Sequence, residues 1–304
     1  MSQKIGFIGL GIMGSPMAGH LVKAGYEVVG YDLVETALLR LEQQGGKRAA
    51  SIADAVRGAP LVITMLPADP HVEAVVLGED GVFEHIEPGA LFIDFSSVKP
   101  ATSQKVAKAG AAKGVRVLDA PVSGGEKGAI DAVLSIMVGG ERADFDAARP
   151  VFELVGKTSA LCGPHGAGQA VKAANQLVVG GTFALVAEAI VLMEGLGVET
   201  KAGLDMLAGG LAASRILDIK RDSMLARDFT PGFRIDLHHK DMGTVLDAAR
   251  QADVSLPMSL QVAALIQAAR AQGLGDKDHS ALLAVIENLN GRDAQERDTA
   301  KKGA

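Results

Sequence analysis

The strongest constraint on the fold is a glycine-rich turn close to the start of the chain. The turn fits the pattern G-x-G-x-x-G and consists of Gly9, Leu10, Gly11, Ile12, Met13 and Gly14. It stands between a short apolar run at 4–8 and a helical stretch at 15–24. In that context the first glycine permits a tight turn, the second lets the backbone approach a pyrophosphate, and the third lets helix and strand pack closely. The sequence therefore predicts a dinucleotide site at this turn, with the phosphates at the helix N-terminus.

An acidic residue after the second predicted strand narrows the choice of dinucleotide. Asp32 follows the apolar run at 27–31 and stands about 20 positions after the glycine turn, where a carboxylate accepts hydrogen bonds from the adenosine ribose. Its charge would repel a 2′-phosphate, and the next residue, Leu33, offers no cation to hold one. We therefore expect NAD rather than NADP. The alternative is that Asp32 only caps the helix that follows.

The first half of the chain alternates apolar runs with helical stretches. Further apolar runs occupy 61–66, 90–94, 115–119 and 134–138. Continuous apolar strands separated by helices are typical of a parallel sheet that is covered on both faces. The fold class that this pattern predicts is α/β, with an N-terminal Rossmann-like, doubly wound parallel sheet. Cys162, at the end of another apolar run, is expected to be packed rather than reactive.

The pattern changes to helices alone after Gly163. A long apolar helix is predicted at 168–195, and shorter helices at 201–211, 214–226, 240–252, 258–272 and 280–289. We therefore expect a dinucleotide-binding domain at 1–163, an all-α domain at 164–290 that the long helix connects to it, and a disordered tail at 291–304. Because the long helix is apolar nearly all round, we expect it to be buried on most sides, with a homodimer or homotetramer covering it.

Composition excludes several classes of protein. A chain of 304 residues is long enough for two domains, and its single cysteine excludes a disulfide framework. The net charge of −6 does not suit a nucleic-acid partner, and the seven histidines show no metal-binding spacing. The N-terminus lacks the pattern of a signal peptide, and the uninterrupted apolar run at 177–187 is too short to span a bilayer. These features predict a cytoplasmic protein without a membrane partner or a metal.

Four separated motifs resemble those of the β-hydroxyacid dehydrogenase family. They are GFIGLGIMGSPMA at 6–18, DAPVSGGEKGA at 119–129, GAGQAVKAANQ at 166–176 and KDM at 240–242. The resemblance covers nearly the whole chain. The stretches at 209–218, 229–241 and 273–281 are most similar to the tartronate semialdehyde reductase branch of the family. The resemblance implies an enzyme that transfers a hydride between a nicotinamide and a small acid.

The family resemblance implies that Lys172 is catalytic. Gly166, Gly168 and Lys172 match the family pattern G-x-G-x-x-x-K. Reduction of an aldehyde by hydride puts negative charge on the carbonyl oxygen, which a positioned ammonium can stabilise and protonate. Burial lowers the pKa of a lysine, so partial burial at the start of the apolar helix would suit this task. The alternative is a solvated helix lysine, as most lysines are.

The resemblance also implies where the substrate binds. The family holds the substrate carboxylate at Ser123, Gly124 and Gly125, whose exposed N–H groups suit an anion. Asn175 and Gln176 share a helix face with Lys172. Relatives often carry asparagine at both of these positions, so the sequence leaves open which amide meets the substrate. Phe233 and Asp241 complete the predicted substrate residues.

Four further residues are implied to contact the cofactor. Leu66 and Pro67 end one predicted strand, and Ser97, in the place of a family threonine, follows another. Lys240 matches a family lysine that contacts the dinucleotide. The alternative for Lys240 and the adjacent Asp241 is an exposed helix start, where aspartate is favoured.

Together these expectations describe a reversible, NAD(H)-dependent reduction of a small 3-oxo acid in a cleft between two domains. The leading reaction is tartronate semialdehyde to glycerate, with a lysine as general acid. The alternatives are a 3-hydroxyisobutyrate dehydrogenase or another β-hydroxyacid dehydrogenase, a non-catalytic NAD-binding protein, and an imine reductase. Related imine reductases usually replace the lysine that this chain keeps.

Overall fold

The computed structural model describes residues 3–292. The strands are β1 (Lys4–Ile8), β2 (Glu27–Tyr31), β3 (Lys47–Arg48), β4 (Leu61–Thr64), β5 (Leu91–Asp94), β6 (Arg116–Asp119), β7 (Val122–Ser123), β8 (Leu134–Gly140) and β9 (Gly156–Gly163). The helices are α1 (Gly14–Lys23), α2 (Glu35–Gln43), α3 (Ile52–Val56), α4 (Asp69–Leu77), α5 (Val82–His85), α6 (Pro100–Ala112), α7 (Gly125–Ile130), α8 (Arg142–Val155), α9 (Ala167–Gly195), α10 (Thr200–Ala208), α11 (Arg215–Ala226), α12 (Ile235–Gln251), α13 (Pro257–Ala271) and α14 (Leu282–Leu289), with a 3-10 helix at His279–Ala281.

The strands form one sheet whose order reverses beside β1. The order is β3-β2-β1-β4-β5-β6-β8-β7, and β9 pairs with β8. All pairs from β3 to β6 along this order are parallel. The glycine turn therefore follows the strand at which the order reverses, where ligands of such sheets bind. The predicted Rossmann-like fold is confirmed.

Hydrophobic clusters cover both faces of the sheet. One cluster packs α1 and α8 on the sheet through residues such as Met17, Leu21 and Phe152. The other packs α3 to α6 through residues such as Val72 and Val106. Helices on both faces explain why the central strands are continuous apolar runs rather than alternating ones.

The far edge of the sheet differs from the prediction. β8 runs antiparallel to β6 and β7 and parallel to β9, so the sheet is mixed. The chain reaches β8 through the short β7 and the six-residue α7, and an antiparallel pair needs no long crossover. Cys162 is exposed, and the expectation that it is packed was wrong. It lies on β9, where half-buried and exposed positions alternate from Thr158 onwards, as expected of a strand with one face to solvent.

The chain divides into two compact units between Lys172 and Ala173, so that α9 begins in the first unit and continues in the second. The second unit is helical, and its core includes Phe183, Ile190 and Met242. The predicted tail at 291–304 lies outside the described residues from position 293 onwards.

Helix α12 begins at Ile235, five residues earlier than the pattern predicted. Lys240 is half-buried and Asp241 is buried inside this helix. The alternative that these two residues form an exposed helix start was therefore wrong. The polar run that precedes Lys240 in sequence belongs to the helix because Ile235 and His238 point into the core of the unit.

Helix α9 is less covered than its composition suggested. Val178, Leu185 and Leu192, spaced seven residues apart, are 60 to 65% exposed, so the expectation of burial on most sides was wrong for this face. By length and composition, the 29-residue helix could cross a membrane, although the run at 177–187 alone could not. One such helix is weak evidence, because core helices of water-soluble proteins pass the same test.

A buried carboxylate joins three segments of the second unit: the loop before α12, the 3-10 helix and α11. Asp278 is fully buried and accepts hydrogen bonds from the N–H groups of Gly232, Phe233 and Ser280 at 2.9 to 3.1 Å. It also pairs with the Lys220 ammonium at 2.9 Å. Burial alone would raise the pKa of Asp278, but the nearby charge of His279 and these hydrogen bonds lower it to about 2.

We expect Asp278→Asn to lower the free energy of unfolding at pH 7 by about 2 kcal/mol. Because the pKa of Asp278 is lower in the folded chain than in the unfolded one, its stabilisation is complete above about pH 4 and is lost as the pH falls towards 2. Urea unfolding at pH 7, 4 and 2.5 measures this, with the exposed Asp276→Asn as control. A wild-type advantage that persists undiminished at pH 2.5 would contradict the assignment.

Candidate active site

The glycine turn needs Gly9 and Gly14 for its own packing and leaves space in front of Gly11. A Cβ at Gly9, which has a φ of +93°, would collide with the carbonyl oxygen of Met65. A Cβ at Gly14 would collide with the carbonyl oxygen of Gly9. A Cβ at Gly11 would meet no atom within 4 Å. The space in front of Gly11 is what the approach of a pyrophosphate to the backbone requires.

Asp32 connects the glycine turn to the loop after β2. Its carboxylate accepts hydrogen bonds from the N–H of Leu10 at 2.6 Å and from the N–H of Val34 at 2.8 Å. Helix α2 has no side-chain cap, so the alternative that Asp32 caps this helix was wrong. Each carboxylate oxygen can accept more than one hydrogen bond, so Asp32 can serve the turn and a ribose together.

The loops after β4 and β5 are joined by hydrogen bonds. The N–H of Leu66 donates to Oγ of Ser96 at 2.8 Å, and the N–H of Ser96 donates to Asp94 at 3.0 Å. Burial raises the pKa of Asp94, which also accepts from the Thr64 hydroxyl. Leu66, with the adjacent Pro67, therefore lies beside the loop that carries Ser97.

The predicted carboxylate loop contains two glycines with left-handed backbone. Gly124 has a φ of +141° and Gly125 a φ of +62°, conformations that favour glycine. Ser123 ends the short strand β7, which pairs with β8. The loop therefore lies beyond the parallel part of the sheet, and β7 separates it from the end of β6.

A buried carboxylate that the sequence analysis missed holds the start of α9. Asp119, at the end of β6, accepts hydrogen bonds from the N–H of Gly166 at 2.7 Å and of Gln169 at 3.2 Å. A Cβ at Gly139 or Gly168 would come within 2.8 Å of its oxygens. Burial raises the pKa of Asp119. Both glycines of the G-x-G-x-x-x-K pattern thus adapt the backbone to this carboxylate, since Gly166 also has a φ of +90°.

Gln169 connects the same helix to the loop after β5. Its Oε1 accepts from the N–H of Val98 at 3.1 Å, and its Nε2 donates to the carbonyl oxygen of Ser96 at 2.8 Å. Lys172 follows on the next turn of α9 and is only 8% exposed. The predicted catalytic lysine is therefore a buried side chain on a helix that is fixed to the carboxyl ends of β5 and β6, and the alternative of a solvated lysine was wrong.

In the second unit, four of the predicted residues form one chain of polar contacts. The amide of Asn175 donates to Oε1 of Gln176 at 2.8 Å, and Nε2 of Gln176 donates to Asp241 at 2.5 Å. The other carboxylate oxygen of Asp241 pairs with the Lys240 ammonium at 3.0 Å. Gln176 is buried, whereas Asn175 is half-buried. Because Asp241 only accepts, this chain determines which way both amides point.

Phe233 lies against two histidines that the sequence analysis did not single out. Its ring centroid is 5.9 Å from that of His238 and 5.4 Å from that of His279. Within residues 3–292, no group of three or more His, Cys, Asp and Glu side chains is arranged to hold a metal ion.

Two family models match the chain. Residues 4–163 match the NAD-binding domain of 6-phosphogluconate dehydrogenase, and residues 166–286 match the NAD-binding domain of NADP-dependent 3-hydroxyisobutyrate dehydrogenase. Together they cover the sheet, the long helix and most of the helical unit.

Relatives match over almost their full length. The 2-(hydroxymethyl)glutarate dehydrogenase of Eubacterium barkeri is 38% identical over 95% of this chain and 97% of its own. The 2-hydroxy-3-oxopropionate reductase of Escherichia coli is 39% identical over 94% of this chain and 97% of its own. The structure of Mycobacterium tuberculosis 3-hydroxyisobutyrate dehydrogenase with L-serine has a TM-score of 0.86 and 35% identity, and covers 94% of this chain and 99% of its own.

These matches confirm the family resemblance: the chain belongs to the β-hydroxyacid dehydrogenase family. It is an oxidoreductase with an NAD(P)-binding domain, of a family that acts on small hydroxy or oxo acids.

We expect Gln169→Leu to lower the free energy of unfolding by about 1–3 kcal/mol, because it leaves the buried N–H of Val98 without its acceptor. It should also lower turnover, because Lys172 is on the helix that this glutamine holds. Denaturant unfolding and steady-state rates measure the two effects. The exposed Gln43→Leu serves as control, and equal stability of the two variants would show that the contact is dispensable.

Proposed function

We propose that the chain catalyses the reversible, NAD(H)-dependent reduction of a small 3-oxo acid, with tartronate semialdehyde to glycerate as the leading reaction. The observation that carries the proposal is Lys172, a buried lysine side chain on a helix fixed to the strand ends. Most lysines are solvated, and a reaction that creates an alkoxide needs a positioned acid of this kind.

In this reaction the bound nicotinamide supplies the hydride to the carbonyl carbon. Lys172 would donate its proton to the carbonyl oxygen, which becomes the hydroxyl of the product. In the reverse direction the amine would take the hydroxyl proton while the carbon returns its hydride to the oxidised nicotinamide. Stabilising and protonating the developing oxyanion are both tasks for a positioned acid.

The substrate carboxylate would bind the N–H groups around Ser123, Gly124 and Gly125, as the family resemblance implies. For the open question of the two amides, we propose that Asn175 meets the substrate and Gln176 orients it. Gln176 is buried and both ends of its amide are engaged, whereas Asn175 is half-buried and donates one of its two amide hydrogens within the polar chain.

The names of the relatives share a chemical pattern that supports this class of substrate. Glycerate, which is the reduced form of 2-hydroxy-3-oxopropionate, and 3-hydroxyisobutyrate, L-serine and 2-(hydroxymethyl)glutarate each carry a primary hydroxyl on the carbon β to the carboxylate. They have the form HOCH2–CHX–COO⁻ and differ only in X. The preference for X = OH rests on the stretches at 209–218, 229–241 and 273–281. A 3-hydroxyisobutyrate dehydrogenase is the second candidate, supported by the matching solved structure.

We expect wild-type protein to oxidise at least one acid of this form, and glycerate with the highest kcat/KM. Lys172→Ala should lower kcat by about a hundredfold or more while the Kd for NADH is unchanged, because a general acid contributes 10² to 10⁴ in rate. The panel is glycerate, 3-hydroxyisobutyrate, L-serine and 2-(hydroxymethyl)glutarate, and Lys157→Ala on the exposed face of β9 is the control. NADH binding without turnover of any acid would instead favour a non-catalytic binding protein.

We propose that the cofactor is NAD rather than NADP. Asp32 lies beside the glycine turn, and the following Leu33 is 90% exposed. Arg48 is engaged by Glu35 through two hydrogen bonds at 2.7 and 2.9 Å. A 2′-phosphate at this position would therefore face carboxylates.

We expect the KM for NADPH to exceed that for NADH by about tenfold or more, since a phosphate beside a carboxylate is repelled by more than 1.4 kcal/mol. Asp32→Ala should narrow this ratio by raising the KM for NADH and lowering that for NADPH. Initial rates with both cofactors measure it. A wild-type preference for NADPH would contradict the assignment.

We also propose that the exposed face of α9 pairs with a second copy of this chain. Val178, Leu185 and Leu192 form an apolar stripe on one side of the helix. A stripe with a spacing of seven suits packing against another helix of the same kind.

Leu185→Lys should lower the sedimentation coefficient to that of a monomer, because it places a charge in the centre of this stripe. The control is Lys105→Ala, a change at an exposed lysine of α6. A wild-type protein that already sediments as a monomer at micromolar concentration would contradict the proposal.

A further inference from the structure

A buried histidine contacts the backbone of the helix turn that carries the two amides. His238 lies on α12 and is fully buried. Its Nε2 is 3.1 Å from the backbone carbonyl oxygen of Gln176. Because a carbonyl oxygen only accepts, Nε2 must carry a proton and donate it. Gln176 is therefore held on two sides, by His238 at its backbone and by Asp241 at its side chain.

The sequence of α9 is adapted to this contact. Gly180 stands in the interior of the helix, where glycine is unfavourable relative to alanine. A Cβ at this position would lie 3.1 Å from both Cε1 and Nε2 of His238 and 2.7 Å from Val262. The missing side chain thus gives the imidazole room to reach the carbonyl of Gln176, one turn earlier.

A second histidine holds the first. Nδ1 of His279 is 3.2 Å from Nδ1 of His238, so one proton is shared between these two nitrogens. The pair can carry at most one positive charge without losing this hydrogen bond, because two protons between the nitrogens would repel each other. The His279 ring packs on Phe183 at 3.9 Å between centroids. The neighbouring Asp278 and Lys220 form the ion pair described above.

We propose that His238, held by His279, is a positioning residue for the substrate amides. It fixes the turn of α9 at Gln176, and through the hydrogen bond from Asn175 to Gln176 it determines where the half-buried amide is presented. The same two histidines also lie against the ring of Phe233, a second predicted substrate residue. The inference rests on the proposed function, because it assigns His238 to the binding of the acid and not to the binding of the dinucleotide.

Two amide substitutions separate this role from simple core filling. His238→Gln can place an amide N–H near the position that Nε2 of the histidine occupies. His238→Asn, whose side chain is one carbon shorter, reaches only the position of Nδ1. We expect His238→Asn to raise the KM for the acid about fivefold, as for loss of one hydrogen bond, with kcat changed less than about twofold and the Kd for NADH unchanged. His238→Gln should restore the wild-type KM. The neighbouring, half-buried His239→Asn is the matched control.

The outcomes are distinguishable. Equal KM values for wild type, His238→Asn and His238→Gln would overturn the inference. An equal rise of KM in both variants would also overturn it, because it would show that the ring only fills space in the core. If His238→Asn does not fold, judged by thermal unfolding, Gly180→Ala takes its place, because its new methyl group crowds the ring. It should also raise the KM for the acid, and an unchanged KM would overturn the inference. A wild-type chain that binds NADH and oxidises none of the four acids would refute the proposed function itself, and this inference with it.

Discussion

The carboxylate of Asp119 is the group on which the arrangement of the site depends most. It ends β6 and accepts hydrogen bonds from the N–H of Gly166, just before the 29-residue α9, and of Gln169, in its first turn. A charged or strongly polar acceptor at a helix N-terminus is favourable both for the orphan N–H groups and for the helix dipole. With Gln169 it fixes the direction in which the helix leaves the sheet. Lys172, on the next turn of the same helix, is placed by that direction.

In the second unit, several smaller contacts fix the position of Gln176. Gln176 is in contact with Asp241 through its side chain and with His238 through its backbone, and each partner has a further partner, Lys240 or His279. Buried polar groups are costly unless all of them are satisfied, so such a network specifies one geometry more strictly than apolar packing does. Gly180, in the middle of α9, belongs to this network, because a Cβ there would crowd the His238 ring.

The parts that could be predicted from the sequence are those with local signals. The glycine turn, the apolar strands and the start of the long helix at Ala167 follow from periodicity and from residues close together in the chain. The contact from Val98 to Gln169 joins residues 71 positions apart, and that from His238 to Gln176 joins residues 62 positions apart. No spacing rule reaches that far. For the missed carboxylates Asp94 and Asp119, the available signal was a polar residue at the end of an apolar strand.

Two errors have a common physical origin. The start of α12 was predicted too late because His238 is polar yet buried. A pattern of apolar residues does not include such a position. Cys162 was expected to be packed because it ends an apolar run, but an edge strand exposes alternate residues whatever their polarity. In both cases the position of an element in the fold determined the environment of a side chain more than its hydrophobicity did.

The most direct measurement is a crystal structure of the protein with NAD and an acid of the form HOCH2–CHX–COO⁻. Nζ of Lys172 should lie within hydrogen-bond distance, about 2.6–3.2 Å, of the hydroxyl oxygen of the acid. The carboxylate of the acid should bind at Ser123 to Gly125, and the amide of Asn175 should contact the acid. An acid bound without contact to Lys172, with the lysine held elsewhere by protein groups, would contradict the catalytic role of Lys172.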